Sequence, residues 1–252
     1  WGNLSPELMF DQRLFHDIYH LPQVQMLAKI GESNAFHGEP VDPNVLIHTH
    51  LVTDATIEML QGCHVFEDMF TQLRFQTYLH DRLSTQDMTE GQMQLVVAQL
   101  QDIGKSRENV LKIDEQGSTR APGYELVSAE MLPDIFEQLR SKKHVFSTAA
   151  MQAITQRIAN NGIYYPLIID GRDMAETDSD TYFSMENRMY KIADIFEIRH
   201  DLPLLASIFT NVLAELKAGK QSMTGERNSG FTQEHIETTK QLLSCVLHDM
   251  YQ

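Results

Sequence analysis

The stretch Gln99-Leu100-Gln101-Asp102-Ile103-Gly104-Lys105 carries the strongest pattern in the chain. It follows three apolar residues, Leu95, Val96 and Val97, and it has the form Leu-x-Asp-Ile-Gly-Lys. An apolar run that ends in a glycine and a basic residue is typical of a buried helix closing in a turn. The sequence therefore predicts that an apolar helix ends at this turn.

Helical periodicity extends outward from this stretch in both directions. Residues 8–30 predict a pair of helices broken near Pro22, and residues 34–44 predict a loop because they contain Gly38, Pro40 and Pro43. Residues 113–123 predict a surface loop. We expect an all-α protein with an N-terminal helical extension over 1–41 and a helical domain over 42–252. The predicted helices of that domain span about 45–61, 64–83, 89–102, 127–141, 146–160, 185–199, 202–218 and 232–250.

Further motifs occur in a consistent order on both sides of the Asp-Ile-Gly-Lys turn. They are His48-Thr49-His50 with Val52 and Ala55, Gly123-Tyr124-Glu125 with Ser128-Ala129-Glu130, and Lys191-Ile192-Ala193-Asp194-Ile195-Phe196-Glu197. Together they resemble the HD superfamily of metal-dependent phosphohydrolases, and the last motif is most similar to the HD-GYP branch. The resemblance spans roughly residues 42–245 and implies an HD-domain-like helical bundle.

The resemblance implies a metal site held by His48, Asp102 and Asp194. Members of the family hold one or two divalent metals between imidazoles and carboxylates, and the metal activates water while neutralising phosphate charge. Here Gln101 and Tyr124 stand where the family has two of its histidines. A degenerate site of this kind would need no cofactor, whereas a live one would bind a divalent metal such as iron or manganese. Lys105 is the candidate catalytic cation, or it neutralises a nearby carboxylate.

A second register is possible at His80-Asp81. This pair lies 32 positions after His48 (80 − 48), whereas Gln101 lies 53 positions after it (101 − 48). If His80 and Asp81 are the metal ligands, the Asp-Ile-Gly-Lys likeness is fortuitous and the site is intact. Arg82-Leu83 then replaces the Ile-Gly-Lys turn, which favours the Asp102 register.

Three functions follow from these alternatives. The first is a noncatalytic signalling or interaction module of a bacterial regulatory protein, bound to a protein partner or to a regulatory domain of the same chain, with a nucleotide as a possible ligand. The second is an active phosphohydrolase or cyclic dinucleotide phosphodiesterase. The third is a helical scaffold with only structural likeness to the superfamily. The paired histidines that precede Gly-Tyr-Pro in the HD-GYP branch have no counterpart before Gly162-Ile163-Tyr164-Tyr165-Pro166, which argues against cyclic dinucleotide hydrolysis.

Composition narrows the class of protein. The 252 residues carry a net charge of −15, which repels nucleic acid in general. No stretch approaches the roughly 18 apolar residues of a membrane span, and we expect neither a span nor a signal peptide. Cys63 and Cys245 lie in apolar helical contexts, so we expect buried thiols in a reducing cytoplasm. The oligomeric state is left open by the sequence.

Overall fold

The computed structural model describes residues 12–31, 44–108, 110–113, 119–163, 190, 193–194, 197–222 and 233–252. The described residues are mostly helical, as the periodicity predicted. The predicted helix over 185–199 falls largely outside the described residues, and so does the junction between residues 41 and 42. None of the described helices is long and apolar enough to cross a membrane.

The chain's N-terminal described segment forms α1 (Gln12–Tyr19) and α2 (Pro22–Met26), with a 3-10 turn at Leu27–Lys29. Their apolar face, including Leu14, Ile18 and Leu21, joins the same core as the rest of the protein. A polar contact adds to this packing, because Asp17 accepts a 2.8 Å hydrogen bond from the buried ring of His144. That hydrogen bond is the main cause of a lowered pKa at Asp17. The N-terminal helices are therefore anchored to the main body.

Three helices follow, and polar side chains fix the start of each. They are α3 (Val45–Leu60), α4 (Met69–His80) and α5 (Glu90–Leu100). Asn44 caps α3, Asp68 caps α4, and Thr89 with Gln92 forms a capping box at α5. Buried residues occur on every side of α5, which identifies it as the central helix predicted from Leu95 to Leu100.

The chain then forms a 3-10 turn at Ile103–Ser106 and a short antiparallel pair of strands, β1 (Lys112–Ile113) and β2 (Thr119–Arg120). The surface loop expected over 113–123 contains most of this pair, in which residues 112–113 pair with residues 119–120. Helices α6 (Tyr124–Ser141) and α7 (Thr148–Ala159) follow, and a 3-10 turn at Asn161–Ile163 ends this region.

The last described helices, α8 (Leu202–Ser222) and α9 (Gln233–Met250), pack against each other. Helix α8 also contacts α3, α5 and α7, and α6 packs on the 3-10 turn that follows α5. The C-terminal end of α5 is consequently surrounded by α3, α6, α8 and the end of α7. This packing decides which polar side chains meet around Gln101.

A buried ion pair ties α5 to α7. Arg157 Nη2 lies 2.5 Å from Glu90 Oε2, and the two side chains are 3% and 0% exposed. The pair is completed by Ser84, whose backbone N–H donates to Glu90 and whose hydroxyl accepts from Arg157. Removing one member of such a pair leaves a buried charge without compensation.

The two cysteines form no disulfide. Cys245 is half-buried, but Cys63 is exposed, which corrects the expectation of a buried thiol at that position. Cys63 lies beyond the end of α3 and before α4, so it is outside the helical packing that its apolar neighbours suggested.

Candidate functional site

The side chain of Gln101 is the centre of a buried polar cluster. It lies directly after α5 and is fully buried. Its Nε2 donates a hydrogen bond to Glu215 Oε1, and its Oε1 accepts from Asn161 Nδ2 at 2.9 Å and from Asn211 Nδ2 at 2.6 Å. The carbonyl oxygen of an amide has two lone pairs, so both are used within the protein.

The hydrogen bonds continue from Gln101 along the interface between α5 and α8. Asn211 Nδ2 also donates to Asn161 Oδ1 at 2.9 Å, and Asn211 Oδ1 accepts from Gln94 Nε2 at 3.3 Å. Gln94 Oε1 in turn accepts from the hydroxyl of Ser207 at 2.6 Å. We call the connected residues Gln94, Gln101, Asn161, Ser207, Asn211 and Glu215 the amide network.

His48 joins the amide network through Glu215. Its Nε2 lies 2.7 Å from Glu215 Oε2, and the two side chains are 5% and 17% exposed. Each oxygen of the Glu215 carboxylate therefore has a partner, His48 on α3 and Gln101 beside α5. A carboxylate that receives charge-assisted hydrogen bonds from two helices links them strongly.

Asp102 and Lys105 form a buried ion pair at the turn after α5. Lys105 Nζ lies 2.9 Å from Asp102 Oδ1, and the same ammonium lies 4.6 Å from the ring centre of Tyr124. Asp102 is 1% exposed and Lys105 is 9% exposed. The lysine therefore supplies positive charge to a buried carboxylate and stacks on an aromatic face.

Gly104 allows this turn to pack against the start of α6. Its N–H donates to Ser128 Oγ at 2.8 Å, and that hydroxyl donates to the carbonyl of Gln101 at 2.5 Å. A Cβ at position 104 would lie 2.2 Å from the carbonyl oxygen of Tyr124 and 2.6 Å from the backbone nitrogen of Ser128. Only glycine fits this approach of two backbones.

Glu125 lies beside the same turn. Burial raises the pKa of its carboxyl above the usual value, the nearby Asp102 carboxylate adds to the increase, and Lys105 opposes it. A Cβ at Gly162 would lie 2.8 Å from Glu125 Oε1, so the carboxyl reaches the turn after α7. Glu125 brings a second carboxyl close to Asp102.

Asp194, the third residue of the expected metal site, pairs with Arg199. Its side chain is 48% exposed, and its carboxylate accepts a 2.8 Å hydrogen bond from Arg199. The convergence of Asp194 with His48 and Asp102 stays a prediction. A surface ion pair accounts for this aspartate.

The alternative pair His80-Asp81 also lies elsewhere. His80 is exposed at the end of α4, and Asp81 accepts a 2.6 Å hydrogen bond from the hydroxyl of Tyr251. Burial raises the pKa of Tyr251, and its hydrogen bond to Asp81 raises it further. Asp81 therefore has a partner at Tyr251, whereas the buried His48 has Glu215.

Sequence reasoning missed Asn161, Asn211 and Glu215. A signal for two of them was present, because Ser207, Asn211 and Glu215 recur every four residues on a helix that is otherwise apolar up to Leu216, except for Thr210. Residues four apart lie on one helix face, so a polar stripe of this kind indicates a buried polar contact. Gln94 on α5 and Gln101 directly after it, seven positions apart, form the matching polar pair on the facing side.

The donor set does not fit the two-metal centre of a phosphohydrolase. Within the described ranges, no group of three or more His, Cys, Asp and Glu side chains is arranged to hold a metal ion. Both lone pairs of the Gln101 carbonyl accept from asparagines, and His48 Nε2 is directed at Glu215. Amide nitrogens, which cannot ligate metals, occupy much of the space around Gln101.

Comparison with family models, curated proteins and solved structures finds no match to this chain.

Proposed function

We propose that the chain is a degenerate HD-like helical domain that acts as a noncatalytic signalling or protein-interaction module of a bacterial regulatory protein. The observation that carries the proposal is the saturation of Gln101. At the position where the resemblance implies a histidine ligand, the amide donates to Glu215 and accepts from Asn161 and Asn211.

The burial of this network supports a structural role for it. Gln101, Asn161 and Asn211 are at most 3% exposed, so a phosphoester would have to displace protein contacts to reach them. The polar groups are satisfied by one another, which is what a buried network requires to stabilise a fold. Asp102 is likewise paired with Lys105.

A module without a catalytic centre works through its surface. Its partner is another protein or a regulatory domain of the same chain, and the net charge of −15 disfavours nucleic acid. The Asp102 register is preferred over His80-Asp81, because Gln101 and Asp102 are buried and Gln101 shares the Glu215 carboxylate with His48, whereas His80 is exposed.

Hydrolysis assays test the proposal directly. The purified protein is incubated with cyclic di-GMP and with bis(p-nitrophenyl) phosphate in the presence of Mn²⁺ or Fe²⁺, and we expect no appreciable turnover of either. The matched variants are His48→Ala and His80→Ala. Turnover that chelation abolishes and that His48→Ala removes would refute the proposal, and turnover lost only in His80→Ala would establish the alternative register.

Restoring imidazoles gives a second test that does not depend on turnover. The double variant Gln101→His with Tyr124→His should bind Mn²⁺ more tightly than the original protein in a calorimetric titration, because it adds two imidazoles near His48 and Asp102. Gln99→His is the matched control, since Gln99 is a buried glutamine of the same segment outside the amide network. If circular dichroism shows an intact fold and the double variant gains no Mn²⁺ affinity, the proposal that Gln101 and Tyr124 replace two histidines of a metal site would be contradicted.

A further inference from the structure

Two exposed histidines lie one helical turn apart at the end of α1. His16 is within α1, and His20 directly follows its last residue, Tyr19. The side chain of His16 is 68% exposed, and His20 is exposed as well. The two imidazole rings stack, with 4.1 Å between their centres and 25° between their planes. The pair therefore presents two imidazoles to solvent at the same place.

The spacing of the pair is one that binds metal ions. Residues i and i+4 lie on the same face of a helix, and two histidines at this spacing can hold one zinc ion. An ion bonded to both imidazoles at roughly 2.1 Å needs the two nitrogens about 3 Å apart. That separation is about 1 Å less than the distance between the two ring centres, so small rotations of two exposed side chains are enough.

A hydrogen bond of His20 selects the nitrogen that can bind an ion. His20 Nδ1 lies 2.8 Å from the carbonyl oxygen of His16. A carbonyl oxygen can only accept, so Nδ1 carries the proton and Nε2 holds the lone pair. Metal-ligating histidines typically donate their other ring N–H to a carbonyl or a carboxylate, which fixes the orientation of the ring. His20 therefore already makes the hydrogen bond that a metal ligand needs.

The turn that carries His20 is ordered by the protein itself. The backbone N–H of His20 donates to the carbonyl of His16 at 3.1 Å. The backbone N–H of Leu21 donates to the carbonyl of Ile18 at 3.0 Å, and both of these side chains are buried. The ring of Tyr19 packs edge-on against His20. A site whose backbone is already fixed loses little conformational entropy when an ion binds.

We propose that His16 and His20 bind one divalent transition-metal ion of the class of Ni²⁺, Zn²⁺ and Cu²⁺. Imidazole nitrogens suit these ions, whereas Mg²⁺ and Ca²⁺ prefer oxygen ligands. Water fills the remaining coordination positions, because both histidines are exposed. The net charge of −15 favours the approach of a cation. The proposal is independent of the amide network and of the proposed function.

Asp17, which lies between the two histidines in the sequence, is held by other partners. Its Oδ2 accepts from His144 at 2.8 Å, and its Oδ1 accepts from Lys142 at 3.2 Å. The distance from Asp17 Oδ1 to His16 Nδ1 is 3.9 Å, which is beyond hydrogen-bonding range. Asp17 is therefore not positioned as a general base for a metal-bound water, and we expect ion binding without hydrolysis.

Calorimetric titration of the untagged chain with Ni²⁺ at neutral pH tests the proposal. We expect the pair to bind one Ni²⁺ per chain, and excess Mg²⁺ should not displace it. The outer-shell partners of a ligating histidine are worth roughly 10–100-fold in metal affinity, so losing a ligand itself should weaken binding at least about tenfold. His16→Gln and His20→Gln should each have this effect.

His200→Gln is the matched control. His200 is also exposed, but it lies outside α1 and has no histidine four positions away in the sequence. Its substitution should leave the affinity for Ni²⁺ unchanged. Circular dichroism on each variant establishes that the fold is retained.

Electron paramagnetic resonance of the chain loaded with Cu²⁺ identifies the ligands. The nitrogen splitting should correspond to two imidazoles, and it should correspond to one imidazole in each single variant. A chain that does not bind Ni²⁺ would overturn the proposal, and so would binding that both substitutions leave unchanged. A loss of affinity in only one of the two variants would overturn it as well, because a shared ion requires both rings.

Discussion

Replacing Gln101 with leucine should destabilise the fold more than its similar volume suggests. The substitution removes the acceptor shared by Asn161 and Asn211 and the donor to Glu215. Asn211 keeps its hydrogen bond to Asn161, and Glu215 keeps His48. The loss therefore falls on two buried amide N–H groups and on one partly exposed carboxylate oxygen.

The magnitude follows from those two amides. A buried donor left without a partner costs about 1–3 kcal/mol. Glu215 is 17% exposed, so water can replace part of the hydrogen bond it loses. We expect Gln101→Leu to lower the free energy of unfolding by about 3 kcal/mol, which corresponds to a decrease in melting temperature of roughly 6–12 °C for a chain of this length.

Urea unfolding followed by far-ultraviolet circular dichroism measures this difference. Gln99→Leu is the matched control, because Gln99 is also buried but makes one 3.4 Å hydrogen bond to the carbonyl of Phe15, and its Oε1 has no hydrogen-bond partner. That control should change the free energy of unfolding by less than about 1 kcal/mol. Equal effects of the two substitutions would refute the argument that satisfied amides stabilise this site.

Three other perturbations follow from the site and its surroundings. Glu125→Gln should stabilise the protein at neutral pH, because the raised folded-state pKa of the Glu125 carboxyl makes its ionised form destabilising. This gain in stability should vanish as the pH falls to the unfolded-state pKa of the carboxyl. Urea midpoints across the pH range measure the gain, and a difference that does not depend on pH would contradict the prediction. Gly104→Ala should lower the free energy of unfolding by about 3 kcal/mol or more, as measured by thermal unfolding. Gly31→Ala should have almost no effect, because a Cβ added at Gly31 meets no atom within 4 Å. Arg157→Met should lower the free energy of unfolding by about 3–5 kcal/mol, and adding Glu90→Leu should recover part of that loss. A double-mutant cycle in which the two effects simply add would exclude coupling between Arg157 and Glu90.

Much of the helical framework could be predicted from the sequence. The apolar spacing predicted helices at 45–61, 89–102, 202–218 and 232–250, and the structure places α3, α5, α8 and α9 there. Helix positions depend on periodicity and caps, which are local properties of the chain. Lys105 was expected as a catalytic cation or as the partner of a nearby carboxylate, and the structure pairs it with Asp102, three positions before it.

The composition of the polar cluster was decided by tertiary packing. Gln101 meets Asn161, Asn211 and Glu215, which lie 60, 110 and 114 positions away along the chain. Periodicity showed a polar stripe on α8 but not which helix it would face. Asp194 shows the converse, because its motif suggested a buried ligand and the structure pairs it with Arg199 at the surface.

The sequence by itself determined where the chain is helical and which short turns carry charge, because those features arise from interactions between residues a few positions apart. Only the tertiary structure decided which distant helices touch, and hence that Glu215 lies next to His48. The physical reason is that the contact is fixed by the packing of α3 against α8 and α5, which depends on the shape of the whole core.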